Sequence, residues 1–238
     1  MKTILHKASD RGFANHGWLQ ANHSFSFAQF YNPEKIQFGA LRVLNDDVIA
    51  PSMGFSTHPH DNMEIITIPL KGTLKHKDSM GNKWETIQSG EVQIMSAGSG
   101  LMHSEMNAKT DEYLSLFQIW IIPNKTNVTP RYDQRFFNAE ERQGKLQTLV
   151  SSIDNQDEGL KIHQDAKLSR IDLAQGQNYT YNTISKSHGT YIMTISGDVT
   201  ILNNILSTRD ALGVSDTDSF TINTNSNAQL LFIEVPMS

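Results

Sequence analysis

The sequence predicts an all-β protein built as two tandem barrels, each a jelly roll of two sheets. Short apolar and β-branched runs alternate with Gly, Asn, Asp and Ser clusters at about the 8–12 residue interval expected of sandwiches and barrels. Helical patterning is scarce. A turn signature also recurs: IPLKGTLK at 68–75 and TISGDVTI at 194–201 each consist of an apolar run, a glycine turn and a second alternating run, as a duplicated antiparallel barrel requires.

In chain order the runs are Phe38 to Leu44, Glu64 to Leu70, Glu91 to Met95, Tyr113 to Ile122, Tyr191 to Ile195 and Gln229 to Val235. The one helical signal is NAEERQG at 138–144. There Asn138 can cap, Glu141 holds the reciprocal capping-box position and Gly144 supplies a stop. With Pro123 and Pro130 before it, this segment reads as a connector, with the boundary falling between 124 and 145. The expected organisation is an N-terminal, metal-binding unit over residues 1–130 and a second unit without a metal site over 131–238.

Composition narrows the chemistry. With 38% hydrophobic and 19% charged residues, the 238-residue chain is globular and long enough to bury a core. Its formal charge of -5 contains no basic block, so direct binding of nucleic acid is not expected. The absence of cysteine excludes disulfides, thiolate nucleophiles and sulfur-ligated zinc. The apolar stretch in MKTILHKASDRGF is too short for a signal-peptide core, and no run reaches membrane-spanning length. The expectation is a soluble cytoplasmic monomer with no membrane partner.

Function enters with STHPHDNMEIITIPLKG at 56–72. Side chains alternate along a strand, so His58 and His60 share one face, while Pro59 marks a strand start or an edge at the mouth of a barrel. Farther on, in MSAGSGLMHSEMN at 95–107, His103 and Glu105 form a second pair of the same spacing. Antiparallel return of the chain brings the two pairs together, and three imidazoles with one carboxylate make a sulfur-free metal set. Glu64 has the parity of His58 and His60. It stands either as an alternative fourth ligand or as a buried glutamate bonding beside the site.

Gly54, His58, His60, Glu64 and Gly72, followed by Gly90, Ser96, Ala97, Gly98, His103 and Asn107, resemble the two cupin motifs, with departures in the gaps. RGFANHGWLQANHSFSFAQFYNP, FGALRVLNDDVI, GFSTHPHDNMEIITIPLKGTLKHKDSMGN and QIMSAGSGLMHSEMN resemble, in order, the pirin family over roughly residues 11–122. The second half resembles it more loosely, through ISGDV and LLFIEVP. The resemblance implies a bicupin whose first barrel binds one divalent metal through His58, His60, His103 and Glu105, leaving Glu64 outside. Iron(II) is the implied ion, with Zn, Cu, Ni, Mn and Co as alternatives.

Two activities follow from the resemblance. Bacterial members include enzymes that cleave flavonols such as quercetin with dioxygen, and the same activity here would use Glu105 as general base toward the flavonol 3-hydroxyl. The animal member is an iron protein acting as a transcriptional cofactor, which makes a regulatory, non-enzymatic role the alternative. A metal-dependent isomerase or hydrolase is a third class. An open space over the metal favours the enzyme, and a plugged barrel favours the regulator.

The remaining residues read as structural. Phe25, Phe27 and Phe30 alternate as the core of a strand, with aromatic walls for a planar substrate as the alternative, and Trp18, Trp84 and Trp120 read as core anchors. His23 reads as hydrogen-bonded structure. His76 is expected to be exposed and away from the metal pairs, and His163 and His188 stand alone. Met53, Met63, Met95, Met102 and Met106 read as gap fillers around the motifs.

Overall fold

The computed structural model describes residues 1–237. It is a nearly all-β bicupin. One seven-stranded sheet runs, in spatial order, Arg131–Phe136, Glu91–Ser96, Glu64–Lys71, Leu114–Ile121, Leu41–Ile49, Leu19–His23 and Gly12–Asn15. It faces a four-stranded sheet of Gly54–His60, Leu101–Asn107, Thr73–Asp78 and Glu85–Gln88. The second barrel repeats the plan, with seven strands (Lys2–His6, Ala211–Ser215, His188–Ser196, Ala228–Pro236, Lys167–Leu173, Gln147–Ser152, Leu160–Ile162) opposite four (Asn178–Asn182, Ser219–Thr224, Val199–Ile201, Asn204–Leu206). The N-terminal strand Lys2–His6 thus pairs in the second barrel, with Ala211–Ser215, while Arg131–Phe136 pairs in the first, with Glu91–Ser96.

The two large sheets pack back to back. Leu44, Ile66, Ile68, Ile94, Phe117 and Ile119 from the first meet Leu168, Tyr191, Met193, Leu231, Ile233 and Val235 from the second in one buried cluster. The central strands therefore bury both faces, which explains their near-continuous apolar runs. Inside the second barrel the same sheet buries Ile171, Ile192, Leu212, Leu230 and Phe232 against Tyr181, Ile201, Phe220 and Ile222. The first barrel has a smaller filling, with Leu19, Ile49, Leu74, Ile87, Leu114 and Leu116 at one side and Ile65, Met95 and Leu101 at the other. The space left is the cavity described below.

Five of the six expected runs appear as strands within a few residues of their expected ends. The exception is Phe38 to Leu44, which begins at Leu41 and continues to Ile49 through Asn45-Asp46-Asp47. Those three polar residues look like a turn. They stay in the strand because each face finds it a different task, as shown below. Phe25 to Phe30 forms no strand: Ser24 to Ala40 is a chain of turns with isolated bridges Phe27–Phe30 and Phe38–Leu41. The expected helix is a single 3-10 turn, Ala139–Arg142. Asn138 caps it by accepting from the Glu140 N–H, but the Glu141 carboxylate accepts from Gln147 instead of returning to the cap.

The repeated glycine turn has the same conformation in both barrels, since Gly72 and Gly197 each have φ +84°, a region that favours glycine. Their surroundings differ. A Cβ on Gly197 would lie 2.1 Å from the Asn227 carbonyl oxygen, whereas on Gly72 its nearest neighbours are at 3.1 Å. Gly72→Ala is expected to cost about 1–2 kcal/mol from φ alone, and Gly197→Ala about 3 kcal/mol or more because backbone must also move. Denaturant titration of both variants measures the difference.

Candidate metal centre

Strands Gly54–His60 and Leu101–Asn107 run antiparallel, and their register sets His103 directly opposite His58 and Leu101 opposite His60. Gly54–His60 is the edge strand of its sheet, as Pro59 requires. A bulge between His103 and Glu105 then puts Glu105 opposite Phe55, which re-aims the carboxylate relative to the imidazoles. Gly54 is needed at this crossing, since a Cβ there would lie 2.1 Å from the Glu105 carbonyl oxygen.

Donor atoms of His58, His60 and His103 all lie within 4.8 Å of one another. Their rings cluster with centroids 4.3 Å apart for His58 and His103, and 4.8 Å for His60 and His103. Glu105 lies beside this group rather than within it. One of its carboxylate oxygens accepts from the Gln118 side-chain amide at 3.0 Å, and Gln118 in turn accepts from the Thr67 hydroxyl at 2.7 Å. That second bond fixes which end of the Gln118 amide faces Glu105. Oε1 of Glu105 and Nε2 of His103 are buried with no hydrogen-bond partner, which is the state of atoms that await a ligand.

The electrostatics keep His60 and His103 neutral. Burial, followed by His58, His60 and His76 as neighbours, pushes the His103 pKa down to about 2, and burial with His58 lowers His60 to about 4. Burial raises Glu105 to about 7 against the opposing bond from Gln118. Neutral imidazole nitrogens with a carboxylate nearby suit an imidazole-binding divalent metal.

Outer partners orient the ring nitrogens. His58 Nδ1 donates to the Ser56 carbonyl at 2.7 Å, leaving its Nε2 as the free donor atom. His103 Nδ1 meets His76 Nε2 at 3.2 Å, and His76 Nδ1 lies 4.0 Å from an Asp78 carboxylate oxygen. His76 is therefore not exposed, as its sequence position led us to expect. It is buried, stacked on Tyr132 at 5.1 Å, and carries the link from Asp78 to His103. Strand Thr73–Asp78 flanks Leu101–Asn107 on the side away from His58 and His60, with His76 opposite Glu105 and Asp78 opposite His103. Such outer partners set imidazole tautomer and basicity.

Glu64 faces elsewhere. A three-residue turn, Asp61 to Met63, separates its strand from His60, breaking the shared parity. Its carboxylate accepts from Ser96 Oγ at 2.6 Å and from the His163 backbone. None of its bonds reaches the histidine trio. The lone His188 is tied to Ser185 and the Asp165 carbonyl.

A cavity of about 470 Å3 opens over the centre. His58, His60 and Glu105 sit at one end, and Trp18, Phe27, Phe55 and Trp120 form aromatic walls. Trp18, Trp120 and Phe27 thus line a site instead of anchoring the core, and Trp84 is 43% exposed. The same wall carries His23, Asn45 and Asp47, with His23 Nδ1 and Asn45 Oδ1 at 2.9 Å. Asp47 Oδ1 and Trp120 Nε1 are buried without partners, and burial, then Asp46 and Glu105, raises the Asp47 pKa to about 8. The sequence reading did not single out Asn45, Asp47 or Gln118. The available signal was a polar triplet inside an otherwise apolar run.

Comparison with known proteins agrees with this geometry. The family model described as Pirin matches residues 6–121, and that of a quercetinase C-terminal cupin domain matches 149–235. A quercetin 2,3-dioxygenase of Escherichia coli K12 is 47% identical over 232 residues, covering 98% of each chain. The chain belongs to the pirin family. A pirin-like protein of Caulobacter vibrioides is 40% identical over 223 residues, covering 94% of this chain and 95% of its own. The crystal structure of the bacterial pirin YhhW of Escherichia coli in complex with nickel(II) superposes with a TM-score of 0.93 at 42% identity, over 100% of both chains. No helix among the described residues is long and apolar enough to cross a membrane.

Glu64 provides a test of the boundary of this centre. Burial lifts its carboxyl from 4.5 to about 7, so the folded state holds the proton more tightly than the unfolded chain. The associated stability is complete below pH 4.5 and is lost as pH rises through about 7. Glu64→Gln can keep both hydrogen bonds without ionising. It is expected to remove a pH-dependent loss of up to about 3 kcal/mol between those limits, measured by denaturant unfolding across pH, while metal content per chain stays unchanged.

Proposed function

We propose that this pirin is a metal-dependent dioxygenase that opens the ring of flavonols such as quercetin, with iron(II) as its native metal. The carrying observation is the cavity of about 470 Å3 lined by His58, His60 and Glu105. A barrel meant only to report the metal's state through its surface would have no need of this space. Four aromatic side chains wall the cavity, giving flat apolar surfaces for a fused-ring substrate.

In this reading His58, His60, His103 and Glu105 hold the metal. Their partnerless atoms, His103 Nε2 and Glu105 Oε1, fit that role. A bound divalent metal supplies Lewis acidity toward the substrate oxygen and access to dioxygen chemistry.

The chain's own residues supply position and proton transfer. Glu105, held through one oxygen by Gln118, would be a weak, displaceable ligand whose other oxygen is released to take the proton of the flavonol 3-hydroxyl as general base. Loss of that proton leaves an electron-rich enolate ring, the form that reacts with dioxygen. Elsewhere on the cavity wall, Asp47 Oδ1 and Trp120 Nε1 have unused hydrogen-bonding capacity, which complements the peripheral hydroxyls of a polyphenol. Trp18, Phe27 and Phe55 exclude water from the ring faces.

The test is incubation of protein loaded in turn with Fe, Mn, Co, Ni or Cu with quercetin, with and without oxygen, following loss of the flavonol's visible absorbance. Oxygen-dependent loss with at least one metal is expected; none with any of the five would overturn the reading. Elemental analysis of the protein as purified tests the assignment of iron. Glu105→Gln, which keeps the three imidazoles and the Gln118 contact, is expected to retain most of its metal while kcat falls by about 10²–10⁴-fold. Asp47→Leu is expected to raise KM about tenfold with a smaller change in kcat.

A further inference from the structure

A second cavity, of about 550 Å3, lies between the barrels, with Arg142, Arg170 and Arg209 on its wall together with Ser89, Asn138 and Ser196. No carboxylate lines it. Arg170 projects from the middle of Lys167–Leu173, flanked in register by the neutral residues Gln147 and Leu231. It is 8% exposed. Its Nε is buried without a partner, and among the described residues the guanidinium has no ion pair and no side-chain hydrogen bond.

The neighbouring charges do not compensate it. Arg142 is committed to Asp172, whose carboxylate accepts its Nε at 3.1 Å. Arg209 Nε donates to Asp46 at 2.9 Å, and Asp46 also pairs with Arg11 at 3.4 Å. Four guanidiniums thus share two carboxylates across this buried interface. Arg209 is presented by a backbone with φ +70°, an unfavourable conformation for a residue with a side chain, and lies over the Phe117 ring at 5.1 Å. Burial and the charges of Arg142 and Arg209, against the opposing Asp172, lower the Arg170 pKa to about 10, so it remains charged at neutral pH. An uncompensated buried cation is costly and persists where something pairs with it.

We propose that the interbarrel cavity is a binding site for a small dianion, a phosphomonoester or a dicarboxylate, held by the Arg170 guanidinium with Arg142 and Arg209 beside it. The planar fork of Arg170 matches two oxygens of such a group, and the Asn138 amide and Ser196 hydroxyl supply neutral hydrogen bonds to the remainder. Two negative charges balance the two cations left over. The site is formed from both barrels and uses none of the residues of the metal centre, so it stands independently of the flavonol reading.

The experiment is thermal unfolding and titration calorimetry of the metal-loaded protein with inorganic phosphate, succinate, and sodium chloride at matched ionic strength. The expected result is a saturable rise in Tm with phosphate, succinate or both beyond the chloride control, with one site per chain. A response to phosphate alone assigns the phosphoryl class, and a response to succinate alone assigns the dicarboxylate class. Arg170→Met is expected to weaken binding at least tenfold, and Arg170→Lys less, since it keeps the charge without the fork. Ser196→Asp places a carboxylate on the cavity wall and is expected to abolish the response, which reads the site even if Arg170→Met does not fold. No response beyond chloride, or an equal response in Arg170→Met or Ser196→Asp, overturns the proposal.

Discussion

The pairing of two short strands at the edge of one sheet controls the chemistry of this protein. Gly54–His60 must lie against Leu101–Asn107 closely enough, and in the right register, for His103 to face His58. The approach depends on Gly54 having no side chain, because the Glu105 carbonyl occupies the place of its Cβ. Asn107 closes the other end by donating to the carbonyls of Ile49, Ala50 and Glu112, tying the strand to the opposite sheet. A slip of one residue would turn His103 and Glu105 outward together. The donor set is thus a consequence of backbone register, and the imidazoles need only their outer hydrogen bonds to hold their angles.

The same strands separate two environments. Asn45 and Asp47 face the cavity over the histidines, while Asp46 between them faces the second barrel and receives Arg11 and Arg209. On the next strand Gln118 faces the metal centre, and Phe117 and Ile119 belong to the interbarrel cluster. One sheet carries a polar, open face and a closed face on alternating residues, and this explains why a strand can read Asn-Asp-Asp without becoming a turn. Each carboxylate has a reason to be buried: one meets two arginines, and the other borders a cavity with an oxygen unpaired.

Much of this was legible because strand alternation is a simple rule. Two residues apart means the same face, so His58 with His60 and His103 with Glu105 could be read as pairs from spacing alone, and the glycine turns exposed the duplication. What remained hidden depended on partners distant in sequence. His76 lies 27 positions from His103, and only the order of strands in the sheet makes them neighbours. Glu64 followed the parity rule on paper, but the turn after His60 resets the face. Trp18, Phe27 and Trp120 have the composition of core residues, and whether an aromatic side chain fills space or lines it depends on what stands opposite. That is a property of the whole barrel and cannot be read from one strand.

The second barrel shows the same fold with its interior filled. Its interior is filled where the first is open: Tyr181 stacks on Phe232 with ring centroids 4.7 Å apart and on Phe220 at 5.4 Å, and the Tyr181 hydroxyl donates to the buried Glu234 at 2.7 Å. Three aromatic rings in contact occupy the volume that a substrate would need, and the carboxylate is satisfied by the protein itself. The contrast with Glu105 is instructive, since there one oxygen is held and the other left free. Packing that is complete favours stability, and packing left incomplete at chosen polar atoms creates a binding site. By that criterion Arg170, on the outer face of the second barrel where it meets the first, is a buried polar group left unmet.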